Sequence, residues 1–268
     1  MIAAGIDVGG TNTKAVLMKD GEIISRCRFN GNSDEIASEC FFNLLKKAGM
    51  KIKDIDKIAL TGGASRKIGK SVFVKGFVLA DEIESLGLGG MHLSGKDSVF
   101  VASMGTGTAF VSVKNNKIEH LGGSGVGGGT LSGLSKLILD NSIDEAERTA
   151  MNGSRHNIDM TVNDIIGKDL CKIPKDATAA NFGKLEGVYN NADIASGIIN
   201  MVAEALGVMI YFASKTEGLE NDILICGRVA LNKIISKRVV QTISMFGGKS
   251  SIPEDAEYCG AIGAVLSL

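Results

Sequence analysis

GIDVGGTNTKAVL, residues 5–17, carries a single acid, Asp7, among apolar residues, breaks at Gly9-Gly10 and runs on through hydroxyl and amide side chains to Lys14. It is neither of two familiar phosphate fingerprints: no glycine run ends in Gly-Lys-Ser/Thr, and the glycines are not spaced as Gly-x-Gly-x-x-Gly. The pattern reads instead as strands 2–8 and 13–19 joined by a glycine turn. Such a turn can offer the Gly10 and Thr11 N–H groups and the Thr11 hydroxyl to a phosphate. A carboxylate at the preceding strand end can hold a hydrated divalent ion beside it.

The pattern continues on both sides. Lys19-Asp20-Gly21 marks a hairpin into strand 22–29, the apolar spacing of Ile36, Cys40, Leu44 and Leu45 gives a helix over 34–48, and KIALTGG is a buried strand ending in glycines. A short helix follows at 81–89. The stretch DSVFVASMGTGTAFVSVKNNKIEHLGG then repeats the opening plan, with strands at 98–103, 108–113 and 117–121, a Gly-Thr-Gly-Thr turn after the first, and Asn115-Asn116 at the hairpin. Helices are expected at 129–140, 143–151, 161–167, 192–217, 230–246 and 257–267, with a buried strand at 222–227. The same device occurring twice implies a duplicated α/β fold of two lobes, 1–95 and 96–268, with a nucleotide between them.

Thirty-five glycines stand against two prolines, gathered at 9–10, 62–63, 87–90, 105–107, 122–129 and 260–263. These clusters read as element junctions where backbone can approach a phosphate. The 268 residues are 44% hydrophobic and 22% charged, enough for a large core. The formal net charge of -1, with lysines scattered among acids, leaves no footprint for nucleic acid or an anionic membrane. Cys27, Cys40, Cys171, Cys226 and Cys259 lie far apart without a Cys-x-x-Cys, which fits reduced buried thiols in the cytoplasm. No leader pattern opens the chain, and no uninterrupted apolar run reaches membrane-helix length.

Taken together, GIDVGGTNTK, MGTGTAF, HLGGSGVGGGTLSGL, NGSRHNIDMTVNDIIG, ATAANFG and GAIGAV resemble the acetate and sugar kinase, heat-shock ATPase and actin superfamily, and within it the type II pantothenate kinases. The resemblance spans nearly the whole chain. It implies a duplicated actin-like (ribonuclease H-like) ATPase fold, binding of ATP and Mg2+, transfer of the γ-phosphoryl group to pantothenate in coenzyme A synthesis, and a homodimer. Asp7, Gly9, Gly10, Thr11 and Lys14 would form the first phosphate site, with Asp7 also on the metal. Gly105, Thr106, Gly107 and Thr108 would form the second, Gly127, Gly128 and Gly129 would approach the nucleotide at a helix start, and Gly227 would lie near the adenosine. On the acceptor side the resemblance points to His120, Gly122 and Gly123, with Arg155 as a further candidate.

The chain departs from that family on the acceptor side. Where the family places a catalytic Glu two residues ahead of an Asp, Ala80 stands here in the Glu position and Glu82 in the Asp position; an acceptor-contacting Arg is replaced by His120. The base for the acceptor hydroxyl is then Glu82 or Asp81, with Glu84 turned to the other side of the helix. Residues 121–134 hold none of the cluster-ligating cysteines of an activator ATPase, and no zinc-binding Cys/His group of a common sugar-kinase branch is present. A nucleotide-binding regulator that has lost transfer is the alternative of a different class.

Overall fold

The computed structural model describes residues 1–169 and 173–268, so Cys171 lies outside the described residues. β1 (Ile2–Val8), β2 (Asn12–Lys19) and β3 (Glu22–Asn30) form an antiparallel meander. α1 (Asp34–Ala48) starts on Ser33, whose side chain accepts from the Ile36 N–H, and ends at Gly49 in the left-handed region with φ 65°. Acids in its first turn and lysines in its last suit the helix dipole. The chain then returns along β1 as parallel β4 (Lys57–Thr61) and the short β5 (Val78–Leu79), giving the order β3-β2-β1-β4-β5.

After α2 (Glu82–Ser94) the plan recurs. β6 (Val99–Met104), β7 (Thr108–Lys114) and β8 (Lys117–Ser124) form a second meander. Next come α3 (Gly128–Leu139), α4 (Ile143–Ala150), the small ribbon of β9 (Met160–Thr161) and β10 (Thr178–Ala180) around α5 (Val162–Ile166), and the long α6 (Asn191–Thr216). β11 (Ile223–Cys226), α7 (Lys233–Met245), β12 (Ser250–Ser251) and α8 (Cys259–Leu266) complete the chain. The second sheet has the order β12-β11-β6-β7-β8, the first one over again, with β11 parallel to β6 as β4 is to β1.

The two helices between the sheets correct part of the glycine reading. Gly87, Gly89 and Gly90 lie inside α2, and Gly260 and Gly263 inside α8, not at junctions. Their task is helix contact. A methyl group at Gly89 would lie 2.0 Å from the Cys259 carbonyl oxygen, and one at Gly263 would lie 1.7 Å from that of Ser85. α2 therefore runs on past 89 to Ser94, because a glycine's intrinsic cost in a helix, about 1 kcal/mol, is outweighed by close packing.

Each helix also serves the sheet on the other side of the 95/96 point. Leu86 of α2 packs with Val99, Val101, Val111 and Val113, while Ala261, Ile262 and Val265 of α8 pack with Ala3, Val16 and Met18. α6 is long and apolar enough to cross a membrane by length and composition, unlike the expectation from sequence. However, 61% of its most apolar stretch is buried in the protein, and Ile198, Val202, Leu206 and Ile210 pack against Phe100, Ala102 and Ile223 of the second sheet. Cys27, Cys40, Cys226 and Cys259 are buried free thiols.

Candidate active site

The two glycine turns face one another across a cleft of about 1050 Å³. In the first, Gly9 N–H donates to the Asn12 carbonyl at 3.0 Å, and the Asn32 amide donates to the Gly10 carbonyl at 2.9 Å. In the second, Gly105 N–H donates to the Gly107 carbonyl at 2.8 Å, and the Thr108 hydroxyl donates to the Val126 carbonyl at 2.9 Å. A methyl group at Gly10 would come within 3.2 Å of Thr106 Oγ1, so the turns nearly touch. Gly9, Gly10, Thr11, Gly105, Thr106, Gly107 and Thr108 all line the cleft.

Asp7 and Lys14 are cross-strand partners in the β1–β2 ladder, which answers why a strand carries that acid: the pair meets at the cleft floor, Nζ to Oδ2 3.4 Å. Space for the carboxylate is made by glycines. A methyl at Gly62, where φ is +91°, would lie 2.3 Å from Asp7 Oδ1, and one at Gly260 would lie 3.2 Å from Oδ2. Glu82, in the first turn of α2, enters the same cleft near Gly63. Desolvation by the cleft walls, followed by the charges of Asp7 and Asp81, pushes the Glu82 pKa above the usual carboxylate range, while Lys14 and His120 pull the other way. The Asp7 carboxylate offers oxygen ligands that fit a hard cation. Among the described residues no three His, Cys, Asp or Glu side chains converge as a ligand set, so a magnesium ion here would take the remainder of its shell from water and phosphate.

Gly128 and Gly129 also line the cleft, at the start of α3. Their N–H groups donate to the Gly105 and Thr106 carbonyls at 2.9 and 2.8 Å, tying the start of α3 to the second turn. Gly127 sits behind them, where a methyl would lie 2.8 Å from the Thr106 carbonyl oxygen. Gly227, with φ +87°, lies behind the lining too, closely packed on Met104, and its neighbours Arg228 and Val229 face the cleft. Ser132, Gly133, Ile143, Asp144, Glu147, Leu231, Asn232 and Ile235 form the far wall, a mixed apolar and polar surface suited to a nucleoside. Asn232 Oδ1 caps α7 by accepting from Ile234 and Ile235 N–H, which leaves its buried Nδ2 without a partner. Burial also raises the pKa of Glu147, with Asp144 reinforcing it and Arg228 opposing.

Asp81, His120, Gly122, Gly123 and Arg155 do not line the cleft. Asp81 caps α2, its Oδ1 accepting from Ile83 and Glu84 N–H at 2.9 and 3.0 Å. His120 is exposed on β8, close enough for its charge to act on Glu82. Gly122, with φ +122°, and Gly123 lie at the end of β8, past a register shift opposite Phe110 and Val111. Arg155 is 4% exposed and donates to the Thr178 hydroxyl at 2.8 Å and to the Asp176 carbonyl. Glu204 and Asn200 also bond Thr178, and Asp159 accepts from Asn200 and from Phe182 N–H. A buried guanidinium needs such partners, and they hold it in this network outside the cleft lining.

Sequence reading missed Asn12, Arg28, Asn30, Asp144, Glu147, Arg228 and Asn232, all in the lining. Arg28 and Asn30 alternate outward on β3, and Asp144 and Glu147 share one face of α4 by their spacing of three. Those periodicities mark a face without telling which cavity it meets.

A family profile described as Fumble matches residues 98–267. A type II pantothenate kinase of Bacillus cereus is 30% identical over 98% of this chain and 96% of its own length. One from Staphylococcus aureus is 28% identical over 97% of each. Among solved structures, the activator of the 2-hydroxyisocaproyl-CoA dehydratase from Clostridium difficile, with bound ADPNP, superposes with a TM-score of 0.71 at 19% identity. That match covers 100% of this chain and 94% of the other, a likeness of fold that fits the actin-like architecture.

Proposed function

This chain belongs to the type II pantothenate kinase family, and on that premise we propose that it transfers the γ-phosphoryl group of ATP to the alcohol hydroxyl of pantothenate, the 4'-phosphorylation in coenzyme A synthesis. The observation that carries the reading is the pair of glycine turns closing on each other above the Asp7–Lys14 pair, with Glu82 beside them. Phosphoryl transfer depends on positioning and charge neutralisation more than on covalent chemistry. Mg2+ at Asp7 would supply neutralisation of the phosphate oxygens. Lys14 presents an ammonium at the same floor, and Thr11 and Thr106 flank the phosphate path from opposite lobes. Glu82 accepts the proton of the acceptor hydroxyl; Asp81 is committed to the α2 cap. Of the acceptor-side residues, His120 is kept as an acceptor contact on the family resemblance alone, since it stands on β8 outside the cleft lining.

The test is ADP release coupled to a reporter with Mg-ATP and pantothenate, pantetheine or a panel of sugars. Pantothenate should raise ADP release above the ATP-only background, and the sugars should not. Protein that binds ATP yet phosphorylates nothing in the panel would support the regulatory reading instead.

We further place the protein in the cytoplasm as a homodimer. Phe212 stands 50% exposed on α6, against Tyr211 and Phe246, an apolar patch suited to a second copy. Sedimentation at micromolar concentration should give twice the chain mass, and a monomer alone would remove the assignment.

A further inference from the structure

The cleft holds three cations, and they are not equivalent. Lys14 is paired with Asp7 at 3.4 Å, and Arg28 with Glu257 at 3.0 Å. Arg228 differs. Among the described residues no carboxylate is in ion-pair contact with it, and its guanidinium reaches across the cleft to the neutral Asn12 Oδ1 at a long 3.4 Å. Asn12 follows the first glycine turn, whereas Arg228 stands beside the second. Gly227 packs on Met104 at the end of β6, and the Val229 side chain lies against Gly128, so Arg228 is fixed between two backbone positions that flank the Gly105–Thr108 turn. A partly buried guanidinium with a weak neutral partner, in a cleft between two glycine turns, is an incomplete arrangement: its planar donor fork matches a phosphate better than an amide oxygen.

We infer that Arg228 is the second lobe's phosphate-binding cation, exchanging its bond to Asn12 for phosphate oxygens when ATP or ADP enters. The inference rests on the ATP-dependent reading of the site. Even with a divalent ion bound, a triphosphate keeps negative charge, and Lys14 is already engaged by Asp7. A cation on the opposite wall completes the neutralisation and draws the two turns onto the same group. The Arg228 charge acts on Glu147, yet among the described residues the two make no ion pair, so the guanidinium is not committed to that acid.

Calorimetry on the full chain tests this, with ATP, ADP and adenosine measured against wild type, Arg228→Gln and Arg228→Lys, adenosine by displacement of ADP. Charge-assisted hydrogen bonds of this kind are worth about tenfold or more in affinity. Arg228→Gln should weaken ATP and ADP by that factor and leave adenosine within about twofold, and Arg228→Lys, which keeps the charge without the fork, should fall between. Unchanged ATP affinity in Arg228→Gln overturns the inference alone, as does an equal loss for adenosine, which marks damage to the pocket rather than to a phosphate contact. Wild-type protein that binds no nucleotide overturns both the inference and the kinase reading beneath it.

Discussion

Replacing Glu82 by Gln is expected to cut pantothenate-dependent turnover by about 100-fold or more, roughly 2.7 kcal/mol of barrier, while ATP affinity changes little. Glu82 enters the cleft from the start of α2, whereas the proposed nucleotide contacts come from the glycine turns and the cations. The pH profile gives a second readout. A base works deprotonated, and desolvation with the nearby Asp7 and Asp81 charges has raised the Glu82 pKa. Activity should therefore fall as pH drops through a value above the ordinary carboxylate range, and that acidic limb should vanish in the Gln variant. Near-normal turnover in Glu82→Gln would eliminate the assignment. A large loss in Asp81→Asn beside near-normal turnover in Glu82→Gln, with melting preserved, would move the base to Asp81.

Gly263→Ala is expected to be the most damaging small substitution in the chain. Its new methyl would sit 1.7 Å from the Ser85 carbonyl oxygen, 2.5 Å from that carbonyl carbon and 2.8 Å from the Gly89 nitrogen, all main-chain atoms that no side-chain rotation can move. α8 is buried from Cys259 to Val265, so relief requires separating α8 from α2 and from the first sheet. Overpacking of a close-packed interior costs about 1–3 kcal/mol and occasionally more, and the backbone contact puts this case at about 3 kcal/mol or beyond. For a chain of this size the melting temperature should drop by on the order of 10 °C. Gly133→Ala is the control: it is helical, with nothing within 4 Å of its added methyl, and it should melt at or slightly above wild type. Equal melting of Gly263→Ala and wild type would show that the two helices do not depend on this contact. Because Glu82 lies on α2, a displaced α2 should also lower turnover before it lowers ATP binding.

The local code was legible wherever the signal was short in range. Alternation gave β1, β2 and β3 to within a residue, apolar spacing gave α1 over 34–48, and the recurrence of a meander after residue 98 announced the second sheet. The first and second glycine turns were found because a turn that bares N–H groups needs glycine locally. The two-residue strands β5 and β12 and the ribbon of β9 and β10 were not, since they exist only where another strand lies alongside.

By itself, then, the sequence determined the duplicated meander, the two turns and the family to which the chain belongs. The rest depended on distances between segments far apart in the chain. That Gly89 and Gly263 serve a helix crossing and not a phosphate, that Arg155 is spent in a buried network with Thr178, and that Arg228 meets Asn12 across the cleft are facts of the folded molecule. A glycine permits close approach in any context, and an arginine can pair with any acceptor within reach. Only the packing of α2 against α8 and of one sheet against the other selects which backbone leaves no room for a methyl on the first and which acceptor, across 216 residues of sequence, stands before the second.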